Sequence, residues 1–248
     1  MDVNEVKVSF AITTHNETHC LKQLLDQIFS IKTVLDEVVI VDDNSTDENT
    51  KQTLAWAVEN HARVFYHSLN GDFAAHKNYL TTSCKNEYIF AIDADELLDD
   101  NLAKKFREIL AVNQEVEMFR LPRINTVQGL TLDHISQWRW QISAQPTEIE
   151  ERVLGYDTDE YRLVKAYNLI LNDNNGVIKF HTPLINWPDY QGRIYKKSDS
   201  ILWQNKVHET LVGFKKYATF PTARQFALLH NKTISTQEKQ NQFYSTIR

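Results

Sequence analysis

Along the first half of the chain, the spacing of hydrophobic positions switches repeatedly between that of a strand and that of a helix. Lys7-Val-Ser-Phe-Ala-Ile-Thr13 is a short β-rich run. Polar residues 14–17 follow, and then Leu21, Leu24, Leu25, Ile28 and Ile31 recur at helical spacing. Glu37-Val-Val-Ile-Val41 predicts a buried strand. Ser45-Thr-Asp-Glu48 matches a capping box ahead of a helix carrying Leu54, Ala57 and Val58. Arg63-Val-Phe-Tyr66 predicts a third strand, Ala74 to Ser83 a helix, and Tyr88-Ile-Phe-Ala-Ile92 a fourth strand that runs into acids. Such alternation predicts an α/β fold, with a mostly parallel Rossmann-like sheet and helices on both faces.

A helix over Leu102 to Val112 and a strand over Met118 to Pro122 close the regular part. Asn125 to Pro188 is richer in Trp, Asn and charge, is broken at Gly155 and at Asp173-Asn-Asn-Gly176, and is read as an insertion. Arg193 to Tyr195, Ile201 to Trp203 and Phe226 to Leu229 predict returning strands, and Ser235 to Thr246 a closing helix.

Composition narrows the setting. No run of about eighteen apolar residues exists, and Met1 leads into acidic and polar residues, so neither a membrane span nor a secretory leader is expected. Cys20 and Cys84 lack the paired spacing of a zinc site, and a cytoplasmic protein is expected, in the host cytoplasm if a phage encodes it. The net charge of −6 is unevenly spread. Residues 1–119 carry 10 basic and 21 acidic side chains, and the remainder 17 and 12, which suggests an anionic partner for the second half.

In open parallel sheets, ligands sit beyond the carboxyl ends of the strands. Three of these ends are polar here: Thr13-Thr-His-Asn-Glu17, Asp42-Asp-Asn-Ser45 and Asp93-Ala-Asp-Glu96. With six glycines in the whole chain and no glycine-rich loop at these ends, a P-loop or dinucleotide fingerprint is excluded. Acids in that position suit a hard divalent cation, Mn2+ or Mg2+, that neutralises phosphates. Asp93 and Asp95 would share one side of an extended segment. The bland alternative is that they cap a helix starting near Leu97. Trp138-Arg-Trp140 and Lys215-Lys216 could meet a nucleic acid, but a half-buried helix face and a solvated turn are equally good readings, and Arg193, Lys196 and Lys197 share that ambiguity.

These residues resemble family-2 glycosyltransferases of the GT-A fold, on the strength of Phe10-Ala-Ile-Thr-Thr-His-Asn-Glu17, Glu37 to Asp47, Ala75-His-Lys-Asn78 and Tyr88 to Glu96. The resemblance implies that Thr13, His15 and Glu17 line a nucleotide sugar and that Asp43 contacts the base. It also implies that Lys77, Asn78 and Asp93 lie near the diphosphate and that Asp95 binds the metal, with Asp93 as a possible partner. Lys77 stands where the family commonly has arginine. Asn186 to Lys196, Trp203, Val207-His-Glu209 and His230 are similar to the branch that holds lipopolysaccharide-core glucosyltransferases. Pro122 to Gly129 and Gln237 to Asn241 are similar to small members encoded by T-even-type bacteriophages.

The resemblance implies an inverting transfer from a UDP-sugar. Glu209 would be the general base, or else a surface acid paired with Lys206 or Lys215. His230 would be a further metal ligand. Trp138, Arg139, Trp187, Asp189, Arg193, Trp203 and His208 would face the acceptor. Residues 1–248 are then one GT-A domain, with a nucleotide-sugar half (1–124), an acceptor-side insertion (125–188) and a catalytic half (189–248). The favoured acceptor is 5-hydroxymethylcytosine in phage DNA, and the alternative is a lipopolysaccharide-core or other surface glycan. A non-catalytic sugar- or nucleic-acid-binding module is the rival of another class.

Overall fold

The computed structural model describes residues 2–18, 20–141 and 184–247, and the backbone of 171–173 and 176–178. The remainder of the expected insertion, including Gly155 and Asn174-Asn175, lies outside the described residues. The first half alternates as its sequence predicts: β1 (Val8–Thr14), α1 (Cys20–Ile31), β2 (Glu37–Asp42), α2 (Glu48–Glu59), β3 (Arg63–Tyr66), α3 (Phe73–Ser83) and β4 (Tyr88–Asp93). Next come β5 (Glu96–Leu98), α4 (Asp100–Val112), the long β6 (Met118–Gln128) and α5 (Leu132–Trp138). A detached hairpin of β7 (Leu171–Asp173) and β8 (Gly176–Ile178) precedes β9 (Tyr190–Lys196), β10 (Leu202–Gln204), β11 (Thr210–Val212), β12 (Tyr217–Thr219), β13 (Leu228–Thr233) and α6 (Ile234–Ile247).

The main sheet runs β3-β2-β1-β4-β9-β6-β13-β5, with β12 added beside β6. Strands β3, β2, β1 and β4 are parallel; β9 is antiparallel to both β4 and β6, and β5 to β13. Side chains on β1 alternate between two cores, as a pleated strand buried on both faces requires. Val8, Phe10 and Ile12 pack with Leu21, Leu24 and Leu25 of α1 and with Phe106 and Leu110 of α4. Ala11 faces the opposite cluster, with Leu80 of α3, Trp203 and Leu211. Helices therefore cover both faces, the GT-A arrangement expected.

Several local expectations are corrected. The α2 cap is Asp47, whose carboxylate accepts from the Thr50 backbone N–H at 2.7 Å. Ser45 is occupied elsewhere: its N–H and hydroxyl bind the buried Asp42 carboxylate, and its Oγ accepts from the Asn16 N–H. Helix α4 is capped by Asp99, so Asp93 and Asp95 cap nothing, and Leu97-Leu98 belong to a strand paired with β13. Strand β6 does not end at Pro122 as its sequence pattern predicts but continues to Gln128. Helix α5 caps itself through Thr131 and His134.

Candidate active site

Parallel register brings the polar strand ends level with one another. Thr14 lies opposite Asp42, and Thr13 opposite Asp93. Asn16, at a left-handed φ of 50°, accepts from the Thr46 and Asp47 N–H groups through its side chain and so ties the first loop to the second. On the other side, β13 sets His230 between Asn125 of β6 and Glu96 of β5. The strand ends together wall a cleft of about 1010 Å3, lined among others by Thr13, His15, Glu17, Lys77, Asp93, Asp95, Glu209 and His230. A side pocket of about 110 Å3 opens against Thr14, His15, Asp43 and His76.

Arg193 reaches the site through a bulge. On β9, Ile194 pairs with Phe119 and Gly192 with Arg120, so Arg193 is the extra residue, and the irregularity turns its side chain inward. Its Nη2 lies 2.8 Å from Asp93 and 2.5 Å from Glu96, which also accepts from Arg123 at 3.1 Å. Lys77 joins Asp93 at 3.0 Å to Glu209 at 2.7 Å. Burial alone would lower the Lys77 ammonium, but Asp93 and Glu209 hold it above its ordinary value. Burial alone would raise the Asp93 carboxyl, but Arg193 and Lys77 hold it well below the usual range. Glu209 therefore pairs with Lys77, and not with Lys206 or Lys215.

Asp95 has a different setting. Its Oδ2 lies 3.1 Å from His230 Nε2 and 3.2 Å from Lys232 Nζ. These neighbours outweigh burial and keep its carboxyl ionised far into acid. The Nδ1–H of His230 donates to Asn125 Oδ1 at 2.7 Å, and the Asn125 amide is oriented in turn by donation to Asp189. The imidazole thus turns a second nitrogen toward a carboxylate. A proton or a cation must stand between them.

The structure brings Thr13, His15, Glu17, Lys77, Asp93, Asp95, Trp138, Asp189, Arg193, Trp203, His208, Glu209 and His230 to the cleft wall, and Asp43 to the side pocket. Others fall elsewhere. Asn78 exchanges two hydrogen bonds with the Trp203 backbone and pins α3 to β10, outside the cleft lining. Trp187 packs on Ile124, Leu184 and Ala227. Arg139 is the exposed, left-handed residue that ends α5. Asp189 lines the cleft, but Arg123, Asn125 and Gln191 all donate to its carboxylate. Asp93 has both oxygens in ion pairs, Oδ1 with Lys77 and Oδ2 with Arg193.

Among the described residues, several basic side chains of the second half stand away from the cleft. Lys196 stands opposite Tyr88, the first residue of β4, and Lys216 lies beside the start of β6, both at the far end of the sheet. The four Lys and Arg side chains that line the cleft among the described residues are Lys77, Arg123, Arg193 and Lys232, and each is paired with a carboxylate. Sequence reasoning missed Arg123, Asn125 and Lys232. A period of two would have pointed to Lys232, which shares a strand face with the expected His230, whereas Arg123 and Asn125 share a face of β6 that holds no expected site residue.

A sequence model described as glycosyl transferase family 2 matches residues 9–166. An uncharacterized glycosyltransferase of Rickettsia bellii (strain RML369-C) is 34% identical over 105 residues, covering 42% of this chain and 33% of that protein. LpsC of Rhizobium meliloti (strain 1021), described as a lipopolysaccharide core biosynthesis glycosyltransferase, is 33% identical over 92 residues, covering 35% of this chain and 32% of that protein. Each alignment thus spans about a third of the relative's length. Among solved structures, TarS of S. aureus matches with a TM-score of 0.52 at 13% identity, over 95% of this chain and 38% of that one, a likeness of fold alone. No helix among the described residues is long and apolar enough to cross a membrane.

Proposed function

The chain belongs to glycosyl transferase family 2, and on that premise we propose that its cleft moves a sugar from a UDP-sugar to an acceptor hydroxyl with inversion. The observation that carries this reading is the opposition, in one cleft, of a carboxylate–imidazole pair at Asp95 and His230 and a carboxylate, Glu209, steadied by Lys77. Asp95 and His230 supply the oxygen and nitrogen donors that suit Mn2+ or Mg2+. Asn125 holds the imidazole with Nε2 facing the site. Among the described residues no three His, Cys, Asp or Glu side chains form a cage, so the proposed cation would have to take its remaining ligands from substrate phosphates and water. When bound, such a cation would offset the charge gathering on the departing diphosphate.

The chain's own groups do the rest. Glu209 takes the proton of the attacking hydroxyl. Lys77 holds Glu209 in place and keeps positive charge beside Asp93 where the diphosphate would lie. The side pocket, with Asp43 and a buried Thr14 hydroxyl that has no partner, suits the polar edge of a base.

For the acceptor, a glycan hydroxyl is the reading the described cleft supports better. Its cations are all paired, and the R. meliloti relative is described as acting in lipopolysaccharide core biosynthesis. Hydroxymethylcytosine in DNA is the second reading. Trp138 and Trp140 favour it: both line the cleft, their ring centroids are 4.8 Å apart, and an extruded base could stack there.

Calorimetry tests the donor half. UDP should bind with Mn2+ or Mg2+ and weakly in EDTA, and Asp95→Asn should weaken that binding while circular dichroism stays unchanged; equally tight binding in EDTA would remove the metal from the site. Mass spectrometry of hydroxymethylcytosine DNA and of a lipopolysaccharide-core acceptor, each incubated with a panel of UDP-sugars, decides the acceptor. Added sugar mass on DNA alone would reverse the preference stated here.

A further inference from the structure

Helix α6 breaks a rule that the other long helices obey. The stripe of α1 that faces the protein reads Leu21, Leu24, Leu25, Ile28, and that of α4 includes Leu102, Phe106 and Leu110. On α6 the least exposed positions are Ile234, Gln237, Gln240, Asn241, Tyr244 and Ile247, so the stripe is apolar at its ends and polar in its middle. The four polar members all line the cleft.

Their hydrogen bonds run in one direction. Lys232 Nζ, 3.2 Å from Asp95, donates to Gln240 Oε1 at 2.7 Å, and Gln240 Nε2 donates to the Tyr244 oxygen at 2.7 Å. The Tyr244 oxygen therefore already accepts, and its own proton is left to donate. Burial first, with Glu209 and Asp93 nearby, raises the phenol above its ordinary value, so it keeps that proton. One turn away, Gln237 Nε2 donates to Asn241 Oδ1 at 2.9 Å, leaving the Gln237 carbonyl to accept and the Asn241 amide to donate. The row begins at the Asp95 end and finishes where the Tyr244 ring meets His208, next to Glu209. A sugar held between the Asp93–Asp95 segment and Glu209 would share the cleft with this row, which lines the same wall.

We propose that Gln237, Asn241 and Tyr244 form the sugar-reading wall, contacting the hydroxyls of the transferred sugar and deciding which UDP-sugar is used. This rests on the donor reading above. Neutral donors and an acceptor suit vicinal hydroxyls, each of which both gives and takes a hydrogen bond, and they add no charge beside the departing diphosphate. A site built to bond a hydroxyl rejects a sugar that lacks or inverts it, because its own polar groups are then left unpaired.

The test compares the unaltered protein with Tyr244→Phe and Asn241→Ala. Affinity for UDP, affinity for UDP-glucose, UDP-galactose and a UDP-pentose, and hydrolysis of each are measured. Tyr244→Phe keeps the ring against Phe73 and His208 and removes only the hydroxyl. The expected result is UDP affinity within about twofold of the original, with a loss of roughly tenfold in preference for the favoured UDP-sugar. Unchanged preference in both variants would overturn the proposal. So would normal hydrolysis with only acceptor transfer impaired, because α6 would then read the acceptor. If the unaltered protein binds no UDP at all, the donor reading fails first and takes this proposal with it. The UDP arm separates that outcome from the other two.

Discussion

Asp93 and Asp95 are two residues apart in the same short segment, yet their surroundings differ in kind. Asp93 sits in a closed network, held by Lys77 and by the bulged Arg193, which it shares with the fully buried Glu96. Removing a member of such a network leaves buried charge under-compensated. Asp95 faces His230 and Lys232 in a pairing that still leaves room for a ligand, because the imidazole is oriented from behind by Asn125. Two acids of one motif thus have different settings, one tied into a closed ion-pair network and one facing an imidazole and a lysine, and on the reading proposed above only the second would bind. The difference comes from which strand lies alongside, β9 for the first and β13 for the second.

The sharpest way to break that contrast is Arg193→Met, which leaves Asp93 with Lys77 alone and the fully buried Glu96 with Arg123 alone. We expect a loss of about 3–5 kcal/mol of stability, read by urea denaturation. The same variant should respond differently to acid. The Asp93 carboxyl is held below its ordinary value by Arg193 and Lys77, so its contribution is present above the unfolded pKa of about 4 and is lost as the pH falls through the folded one. Without Arg193 that contribution shrinks, and the acid-unfolding midpoint, followed by circular dichroism, should move to higher pH. An unchanged midpoint would mean that Lys77 alone sustains the network.

Next in size is Glu209→Gln, which should lower turnover by about a hundredfold or more with UDP affinity nearly unchanged, a split that kinetics and calorimetry together resolve. Near-normal turnover would strip Glu209 of the role of base, and Asp189, saturated by Arg123, Asn125 and Gln191, is poorly placed to inherit it. On the Asp95 side, Asn125→Ala frees the imidazole. Metal affinity, measured by titration of Mn2+ in the presence of UDP, should drop by about 10–100-fold while thermal stability changes little. If stability fell as far as in Arg193→Met, the two acids would not differ as described.

The smallest effect is expected from Lys215→Glu with Lys216→Glu. These residues lie by the start of β6, away from the cleft at the other end of the strands, so the acceptor Michaelis constant should shift by no more than about 0.5 kcal/mol would give. A large rise that steepens with salt would instead show that a polyanion runs along the far side of the molecule.

The sequence by itself determined the alternating first half, because the helical and strand periods of its apolar residues are local and uninterrupted, and because a parallel sheet places each strand's polar end on the same edge. The family resemblance also picked out Asp95, Lys77, Glu209 and His230, which the structure brings to one cleft wall. Sequence alone could not tell that Asp93 would be consumed by ion pairs, since Arg193 enters through a bulge one hundred positions along the chain. Nor could it separate Ser45 from Asp47 as the cap, because the choice turned on a buried Asp42 that needed the serine's hydroxyl and N–H. The basic second half suggested a polyanion, but only the tertiary structure could say that Lys196 and Lys216 lie at the far end of the strands and that Lys232, Arg123 and Arg193 at the cleft are paired with carboxylates. The polar stripe of α6 has ordinary helical spacing, and only packing against the cleft shows that this face, and not the opposite one, points inward. Periodicity reports which residues share a side, but what that side meets is decided by elements far away in the chain.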